Sequence, residues 1–593
     1  MEMTVQEKIA AAPKPTGSDW LAPDCHGENF FEIDGSLQSL LGHYLPDDLR
    51  RHMTPLYHRL GEIAGTRLDE LARTCDRHVP VLHHRDAMGR NRDWIEFHPA
   101  YREMEKIGFG DFGIHCMSNR AGVHGWPTKV PPVGKYIFQY LFAQAEFGLL
   151  CPLSVSETSA LLIDRYADDA LKAKYLPRMQ SQDMTELMTG AQFMTEKAGG
   201  SDVGNSELTA RLEDGVWRLY GDKWFCSCAD ADVGLLLARP EGAPGGSGGL
   251  SLFLLPKTLD DGSRNRYRIV RLKDKLGTRS MASGEIIFEG AVAHPISSAG
   301  PHPNNGLKLM LDQVNMSRLS HGVRAAGMMR RCLNESLAVA RNRVAFGGRL
   351  IDKPLMRRSL MKLMVPTEQA LSFSLFTAVT LDQANRGDRK AKQLLRILTG
   401  LLKFRTARDN IRVATGAMEV RGGNGFIEDW VNARLLRDAH VGVIWEGTSN
   451  INALDVVMRA VGKVGAHEDL ATALGDMAAG DAIPGQFQGE LGGLVKRAVA
   501  FAGEVAAAGD EGRSRQAADA LYNVTSAVLL AGEGAASGLR GGDARRLLLA
   551  RMVVDHRLRP ADPLSGSASD TALIDALLDE RPVDLATAQG LVG

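Results

Sequence analysis

Between residues 186 and 297 apolar side chains alternate with polar ones, whereas on both sides they recur at helical spacing. A chain patterned this way must set a small β-domain between two helical blocks. The runs 208–212 and 216–220 alternate across Asp214-Gly215, a hairpin signal because Asp-Gly tolerates the positive φ of a tight turn. Strand-like runs follow at 233–238, 250–255, 267–272 and 285–288, with a flexible Gly/Ser loop at 242–249. Upstream, helical patterns at 46–74 and 134–150 are broken at 122–132 and at Pro177. The first 30 residues, punctuated by Pro and Gly, read as a wrap over a surface.

Beyond residue 305 the helical segments lengthen. One runs over 317–346 and stops at Gly347-Gly348, and a second starts at Pro354. A third covers 389–420 and ends at Gly422-Gly423, and a fourth follows Asn450. Four such helices predict an antiparallel bundle. Residues 466–593 are rich in Ala and Leu, with helical patterns at 492–505, 514–530 and 545–556. At 593 residues the chain exceeds one core. The expected fold is α+β and multidomain: an N-terminal extension with an α-helical domain (1–185), a central β-domain (186–297), a four-helix bundle (298–465) and a C-terminal helical extension (466–593).

A net charge of −1 with 44% hydrophobic residues marks a soluble globular chain and gives no sign of bulk polyanion binding. Seven scattered cysteines, odd in number, read as reduced thiols, and Cys226-Ser227-Cys228 lacks the second pair a metal site needs. No metal is expected. Residues 1–20 contain no apolar stretch and include Glu2 and Glu7, which argues against a secretory signal. No run is long enough to span a membrane, so the expected compartment is the cytoplasm.

Chemistry concentrates at a few motifs. Trp445-Glu446-Gly447-Thr448 sets one carboxylate between an aromatic and a glycine, just before a helix start that Thr448 or Asn450 can cap. The positive end of such a helix suits an anion or an electron-rich cofactor. Met194-Thr195-Glu196-Lys197-Ala198-Gly199-Gly200-Ser201-Asp202 combines hydroxyls with glycines that let backbone approach a ligand. Trp224-Phe225-Cys226-Ser227 offers a ring to stack on and a hydroxyl to bond. Arg343-x-x-Phe346-Gly347 pairs a guanidinium with an aromatic at a helix end, suited to pyrophosphate and adenine. Gly422-Gly423-Asn424-Gly425-Phe426 is a permissive turn. Each alone is an ordinary loop or strand; their order and spacing are not.

Taken together with Arg437-Asp438, these motifs resemble the acyl-CoA dehydrogenase family over residues 100–465. The resemblance implies an α-domain, β-domain and four-helix bundle, FAD as cofactor, and a homo-oligomer (dimer or tetramer) whose neighbouring subunit completes the site. It implies that Met194, Thr195, Ser201, Phe225 and Ser227 contact the flavin half of FAD, and that Thr448 and Asn450 bind it after the Glu446 turn. Arg343, Phe346, Gly422 and Gly423 would hold the dinucleotide part of a neighbour's FAD. Glu446 takes the position of the base that removes the α-proton of an acyl-CoA thioester, while hydride passes to flavin N5. Arg318 and Trp445 take substrate-side positions, and a separate flavoprotein would accept the electrons. Some members place the base just before the arginine matching Arg318; here that residue is Ser317, so Glu446 has no rival.

Departures narrow the branch. Lys197 stands where proline is usual, Glu419 where glutamine is common, and Trp445 where tyrosine is usual. The Met194 run, the motif from Leu272-Lys273-Asp274-Lys275-Leu276-Gly277 to Arg279-Ser280, and the extended N-terminus look like the alkylation-response (AidB) branch. That likeness implies an alternative: a flavoprotein of the DNA alkylation response that binds duplex DNA through a basic C-terminal surface and keeps only weak residual dehydrogenase activity. Residues 466–593 hold eleven Lys/Arg against eighteen Asp/Glu, a net of −7 that opposes it. Arg540, Arg545, Arg546 and Arg551, with Arg557 and Arg559, are nonetheless a local cluster that could meet phosphates.

Overall fold

The computed structural model describes residues 21–296, 306–560, 564 and 570–593, so most of the expected N-terminal wrap lies outside the described residues. Its last part does lie on a helix. Phe30 N donates to Gly61 O at 3.0 Å and Gly27 N to Gly65 O at 2.8 Å. A Cβ on Gly65 would stand 1.6 Å from Glu28 O, so only glycine admits this strand of chain.

The N-terminal block contains α1 (Gly35–Tyr44), α2 (Asp47–Gly65), α3 (Arg67–Arg77), α4 (Pro99–Glu105), α5 (Pro132–Ala143), α6 (Leu150–Tyr166) and α7 (Asp169–Met179). The segment expected as one helical pattern over 46–74 divides at Thr66, whose φ of −124° and ψ of −98° are not helical. An unexpected hairpin, β1 (Val81–Arg85) and β2 (Asn91–Glu96), interrupts the block. Both strands are largely exposed, so neither needed the apolar alternation by which strands are read.

Next come β3 (Gly190–Phe193), β4 (Thr209–Glu213), β5 (Val216–Ser227), β6 (Val233–Pro240), β7 (Ser251–Pro256), β8 (Tyr267–Leu272) and β9 (Ser283–Pro295). Pairing runs β6–β7–β9–β5–β4 and returns to β6, a closed circuit with β3 attached to β6 and β8 to β9. Strand β6 is antiparallel to β7 and parallel to β3 and β4. Its residues are buried on both faces, which accounts for the unbroken apolar run at 233–238.

Three long helices follow: α8 (Gly306–Asn342), α9 (Pro354–Asn385) and α10 (Arg389–Arg421). Then α11 (Val431–Ala439) leads to a short α12 (Ser449–Leu454), which passes into a π-turn over Asp455–Val461. The extension supplies α13 (Ala466–Ala478), α14 (Gly485–Ala507), α15 (Ser514–Leu539), α16 (Arg545–Val553), α17 (Asp570–Leu578) and α18 (Leu585–Val592). The helix after Asn450 is therefore shorter than its partners, and α15 packs along α9 and α10 as a further long helix. Phe373 stacks on Tyr522 at 4.8 Å, and Gln369 Nε2 donates to Asn523 Oδ1 at 3.1 Å. A single apolar core runs from the N-terminal helices through the bundle into the extension. No described helix is long and apolar enough to cross a membrane. All seven cysteines are buried thiols.

Helix α8 is the axis of the molecule. From Ser317 to Ser336 every residue is buried, arginines included, so each charge there needs a partner.

Candidate active site

The loop between α11 and α12 places Glu446. Glu446 and Gly447 both take positive φ, 53° and 93°. For a glutamate this conformation costs about 1 kcal/mol or more and persists only where surroundings enforce it. Three side chains do so by gripping carbonyls. Arg318 Nε donates to Glu446 O at 3.3 Å, Lys403 Nζ to Gly447 O at 2.6 Å, and Asn452 Nδ2 to Gly447 O at 2.7 Å and Thr448 O at 2.9 Å. Thr448, not Asn450, caps the helix, accepting from Ile451 N at 3.5 Å.

No cation lies within 4 Å of the Glu446 carboxylate among the described residues. Desolvation raises its pKa above the ordinary carboxylate range, and the charges of Arg318, Lys403 and Arg324 pull it partly back. Such a group is a stronger proton acceptor than an ordinary carboxylate. Lys403 is 1% exposed, and burial draws its pKa down to about 7. Arg318 meets Asp455 at 2.7 Å, and Arg396 meets the same carboxylate at 2.7 Å. Arg318, expected as a substrate-side residue, is engaged by Asp455 and the Glu446 carbonyl, and so holds the turn in place.

The three blocks meet around this turn through buried carboxylates. Glu146 accepts from Ser280 Oγ at 2.7 Å, Leu149 N at 2.6 Å and Gly148 N at 3.0 Å, tying the β-domain to the head of α6. Asp438 accepts from Thr278 N at 2.6 Å, and burial pushes its pKa up to about 7. A Cβ on Gly277 would strike Arg437 O at 2.5 Å. The motif from Leu272 to Ser280 thus docks one domain on two others.

At the entry to the β-domain Glu196 organises the loop. Its carboxylate accepts from Glu207 N at 2.6 Å, Ser206 Oγ at 2.9 Å and Lys223 Nζ at 2.6 Å. Thr195 is held through its carbonyl, which accepts from Trp224 N at 2.8 Å, and Met194 through its carbonyl on Lys223 Nζ at 3.2 Å. A Cβ on Gly200 would stand 2.4 Å from Thr195 Oγ1. These contacts bring Met194 and Thr195 beside the strand carrying Phe225 and Ser227. Phe225 is 55% exposed, and Ser201 is exposed as well.

A second cluster forms at the far end of the bundle. Arg343 Nη1 reaches Arg421 O at 3.5 Å and would lie 3.3 Å from a Cβ on Gly422. Phe346 sits on a turn of positive φ (52°) and is 90% exposed. From Arg318 to Asn342, α8 covers about 36 Å at 1.5 Å per residue. Within one chain, Arg343, Phe346, Gly422 and Gly423 are therefore remote from Glu446.

Family models match on three segments: the adaptive response protein AidB N-terminal domain over residues 21–185, the acyl-CoA dehydrogenase middle domain over 191–291, and the acyl-CoA dehydrogenase C-terminal domain over 304–461. The putative acyl-CoA dehydrogenase AidB of Escherichia coli is 34% identical over 70% of this chain and 75% of its own. Acyl-CoA dehydrogenase family member 11 of Caenorhabditis elegans is 30% identical over 76% of this chain and 73% of its own. The chain belongs to the acyl-CoA dehydrogenase family. As a member it is an oxidoreductase of the CH–CH class, and its N-terminal block is of the AidB kind. The crystal structure of Caenorhabditis elegans ACDH-11 in complex with C11-CoA has a TM-score of 0.83 at 26% identity, covering 95% of this chain and 96% of that one.

Within this acyl-CoA dehydrogenase fold the C-terminal arginine cluster is not a surface patch. Arg546 is 3% exposed, with Nη1 on Glu368 at 2.7 Å and Nε on Glu533 at 2.6 Å. Arg551 is 7% exposed, bound to Glu490 at 2.6 Å and Asp555 at 2.7 Å. Arg545 pairs with Asp543 at 2.5 Å, and Arg540 alone of the four named is exposed. The expected phosphate-binding role of Arg546 and Arg551 is thus corrected: both are buried in the Ala/Leu-rich extension, Arg546 against two buried carboxylates and Arg551 against two half-buried ones. Sequence reasoning quoted Glu196 within its motif without giving it a role, and it missed Lys403, Asp455 and Arg324 at the site. Only the last had a readable signal, lying at helical spacing (i+7) from Ser317.

Proposed function

We propose that this protein binds FAD and α,β-dehydrogenates an acyl-CoA thioester, with Glu446 as the base. The observation that carries this reading is Glu446 itself. It is a carboxylate without an ion pair, its pKa raised by burial, on a turn of unfavourable φ whose carbonyls three side chains restrain. The residues present suit FAD. The exposed rings of Phe225 and Phe346 offer stacking faces, Thr195, Ser201 and Ser227 offer hydroxyls, and Arg343 offers a guanidinium for phosphate. The cofactor supplies the acceptor for the hydride leaving the β-carbon.

The protein's part is to order the proton transfer. Lys403, Asn452 and Arg318 fix the backbone beneath Glu446, so its carboxylate oxygen can take the α-proton without searching. Because burial disfavours the carboxylate ion, the gain on protonation adds to the driving force. The C11-CoA ligand of the ACDH-11 structure supports an acyl-CoA as substrate. The separation of Arg343 and Phe346 from Glu446 supports a homo-oligomer, dimer or tetramer, in which each site receives those residues from a neighbour. A separate flavoprotein would take the electrons.

Glu446→Gln keeps the shape and removes the base. Anaerobic mixing with a panel of acyl-CoAs should bleach the wild-type flavin, and the variant should respond at least about a hundredfold more slowly. FAD content should be equal in both. A variant that bleaches at the wild-type rate would refute the assignment of the base.

A further inference from the structure

Helix α8 buries four arginines, and three of them have carboxylate partners. Arg318 meets Asp455 at 2.7 Å, Arg330 meets Asp34 at 3.2 Å as well as Glu368, and Arg331 meets Glu335 at 2.9 Å and Asp69 at 3.3 Å. Arg324 is equally buried, 3% exposed, yet no carboxylate lies within 4 Å of it among the described residues. Its Nε reaches only Ser320 O, one turn back on its own helix, at 3.4 Å, and its Nη1 is buried without a hydrogen bond. The guanidinium carbon stands 5.4 Å from the centre of the Phe147 ring and 5.9 Å from that of Trp445, the neighbour of Glu446.

Burying an arginine with no counter-ion is strongly unfavourable, and ring faces offset only part of that. Glu446 feels the charge of Arg324 but forms no ion pair with it, and the other nearby acids are already engaged. Glu146 accepts from Ser280 Oγ and the backbone at 148 and 149, and Glu157 is bound by Lys135 at 2.5 Å. Along the same helix face, Ser317 Oγ and both ring nitrogens of His321 are also buried without partners. Burial holds His321 well below its usual pKa, so it adds a neutral donor beside the charge. Three unsatisfied polar side chains on one face, next to the base, describe a site whose missing partner is an anion.

We propose that Arg324, with His321 and Ser317 beside it, receives a carboxylate carried by the acyl group of the substrate. The preferred thioester is then an ω-carboxyacyl-CoA, not an unsubstituted alkanoyl-CoA. This deepens the dehydrogenase reading and rests on it. Arg324 acts in specificity: its guanidinium gains an ion-pair partner in direct contact when the charged acyl end is bound, and an alkyl chain leaves it without one.

The test uses FAD-loaded protein carrying Glu446→Gln, so that binding is read without turnover. A five-carbon ω-carboxyacyl-CoA and the unsubstituted five-carbon acyl-CoA are titrated by flavin absorbance and by calorimetry. The charged thioester should bind at least about tenfold more tightly, the scale of a buried charge-assisted hydrogen bond. Adding Arg324→Met should erase or invert that preference, and Arg324→Lys should keep part of it. Arg324→Gln serves in place of the Met variant if the latter loses FAD. Equal binding of the two thioesters, or an Arg324→Met change that shifts both affinities by one factor, overturns the role of Arg324 and leaves the dehydrogenase reading standing. Binding of neither thioester overturns both.

Discussion

Lys403 donates from Nζ to the carbonyl of Gly447 at 2.6 Å, across a buried gap that contains no carboxylate within 4 Å among the described residues. It links the middle of α10 to the residue after Glu446. A buried amine with only a carbonyl to meet is poorly solvated, which is why its pKa falls to about 7. The same contact restrains the strained backbone of the Glu446 loop, so a destabilising group and a functional geometry share one hydrogen bond.

Lys403→Met should therefore raise stability while lowering activity. In the unfolded chain the amine titrates near 10.4, against about 7 in the fold. Between these values the unfolded chain binds a proton that the folded protein lacks, so stability rises with pH over that window and is level below it. Melting curves from pH 7 to 10 should show this slope in the wild type and not in the variant, which should melt higher at pH 7. Flavin reduction should slow by about tenfold or more as the turn loosens. A variant that is less stable at pH 7 would contradict this account.

The pH dependence of flavin reduction follows from the same charges. Glu446 must be ionised to act, and burial raises its pKa above 4.5 while Arg318, Lys403 and Arg324 oppose that. The rate should thus rise with pH through a midpoint above the ordinary glutamate value. Removing a nearby cation raises a carboxylate pKa, so Lys403→Met should move the acid limb to higher pH. Stopped-flow reduction across pH 4.5–8 measures it, and an unmoved limb would show that the two groups do not interact.

Much of this was legible in the chain, and the remainder has physical reasons. The β-domain was read because β4 and β5 alternate around Asp214-Gly215, and β6 is apolar throughout. The hairpin at β1 and β2 was not, since exposed strands need no pattern. Glu446 was found from its neighbours in sequence. Its supports were not, because Lys403 and Asp455 lie 43 residues before it and 9 after it, on helices that look like ordinary core. Arg546 misled: charge counting sees an exposed cation wherever arginines cluster, and only packing reveals Glu368 and Glu533 around it.

Arg343→Ala should lower FAD occupancy and weaken self-association together. Arg343, Phe346 and Gly422 gather at one bundle end, about 36 Å along α8 from the region of Glu446. If they complete a neighbour's site, cofactor and assembly are coupled. Sedimentation and flavin absorbance on the same sample read both. A monomer retaining full flavin would be incompatible with this arrangement.

Arg546→Met should destabilise the fold without the change being an effect on nucleic acid binding. Its guanidinium sits between Glu368 at 2.7 Å and Glu533 at 2.6 Å, and donates to Ser372 Oγ at 2.5 Å. Removing it leaves two buried carboxylates, one of them still facing Arg330, at a cost of about 3–5 kcal/mol. Burial alone would raise the Glu368 pKa, but Arg330 and Arg546 outweigh it and hold it at about 2. That depression contributes stability fully present above the unfolded value of about 4.3 and lost as pH falls towards 2. In Arg546→Met the Glu368 pKa should rise, so acid unfolding should begin at higher pH, and the urea midpoint at pH 7 should fall. Any loss of duplex binding in this variant would then report unfolding. Arg540→Ala, exposed at the end of α15, is the clean probe: a salt-dependent duplex affinity that falls in Arg540→Ala with unchanged melting would revive a nucleic-acid surface, and an unchanged affinity would leave the arginines of the extension as core ion pairs.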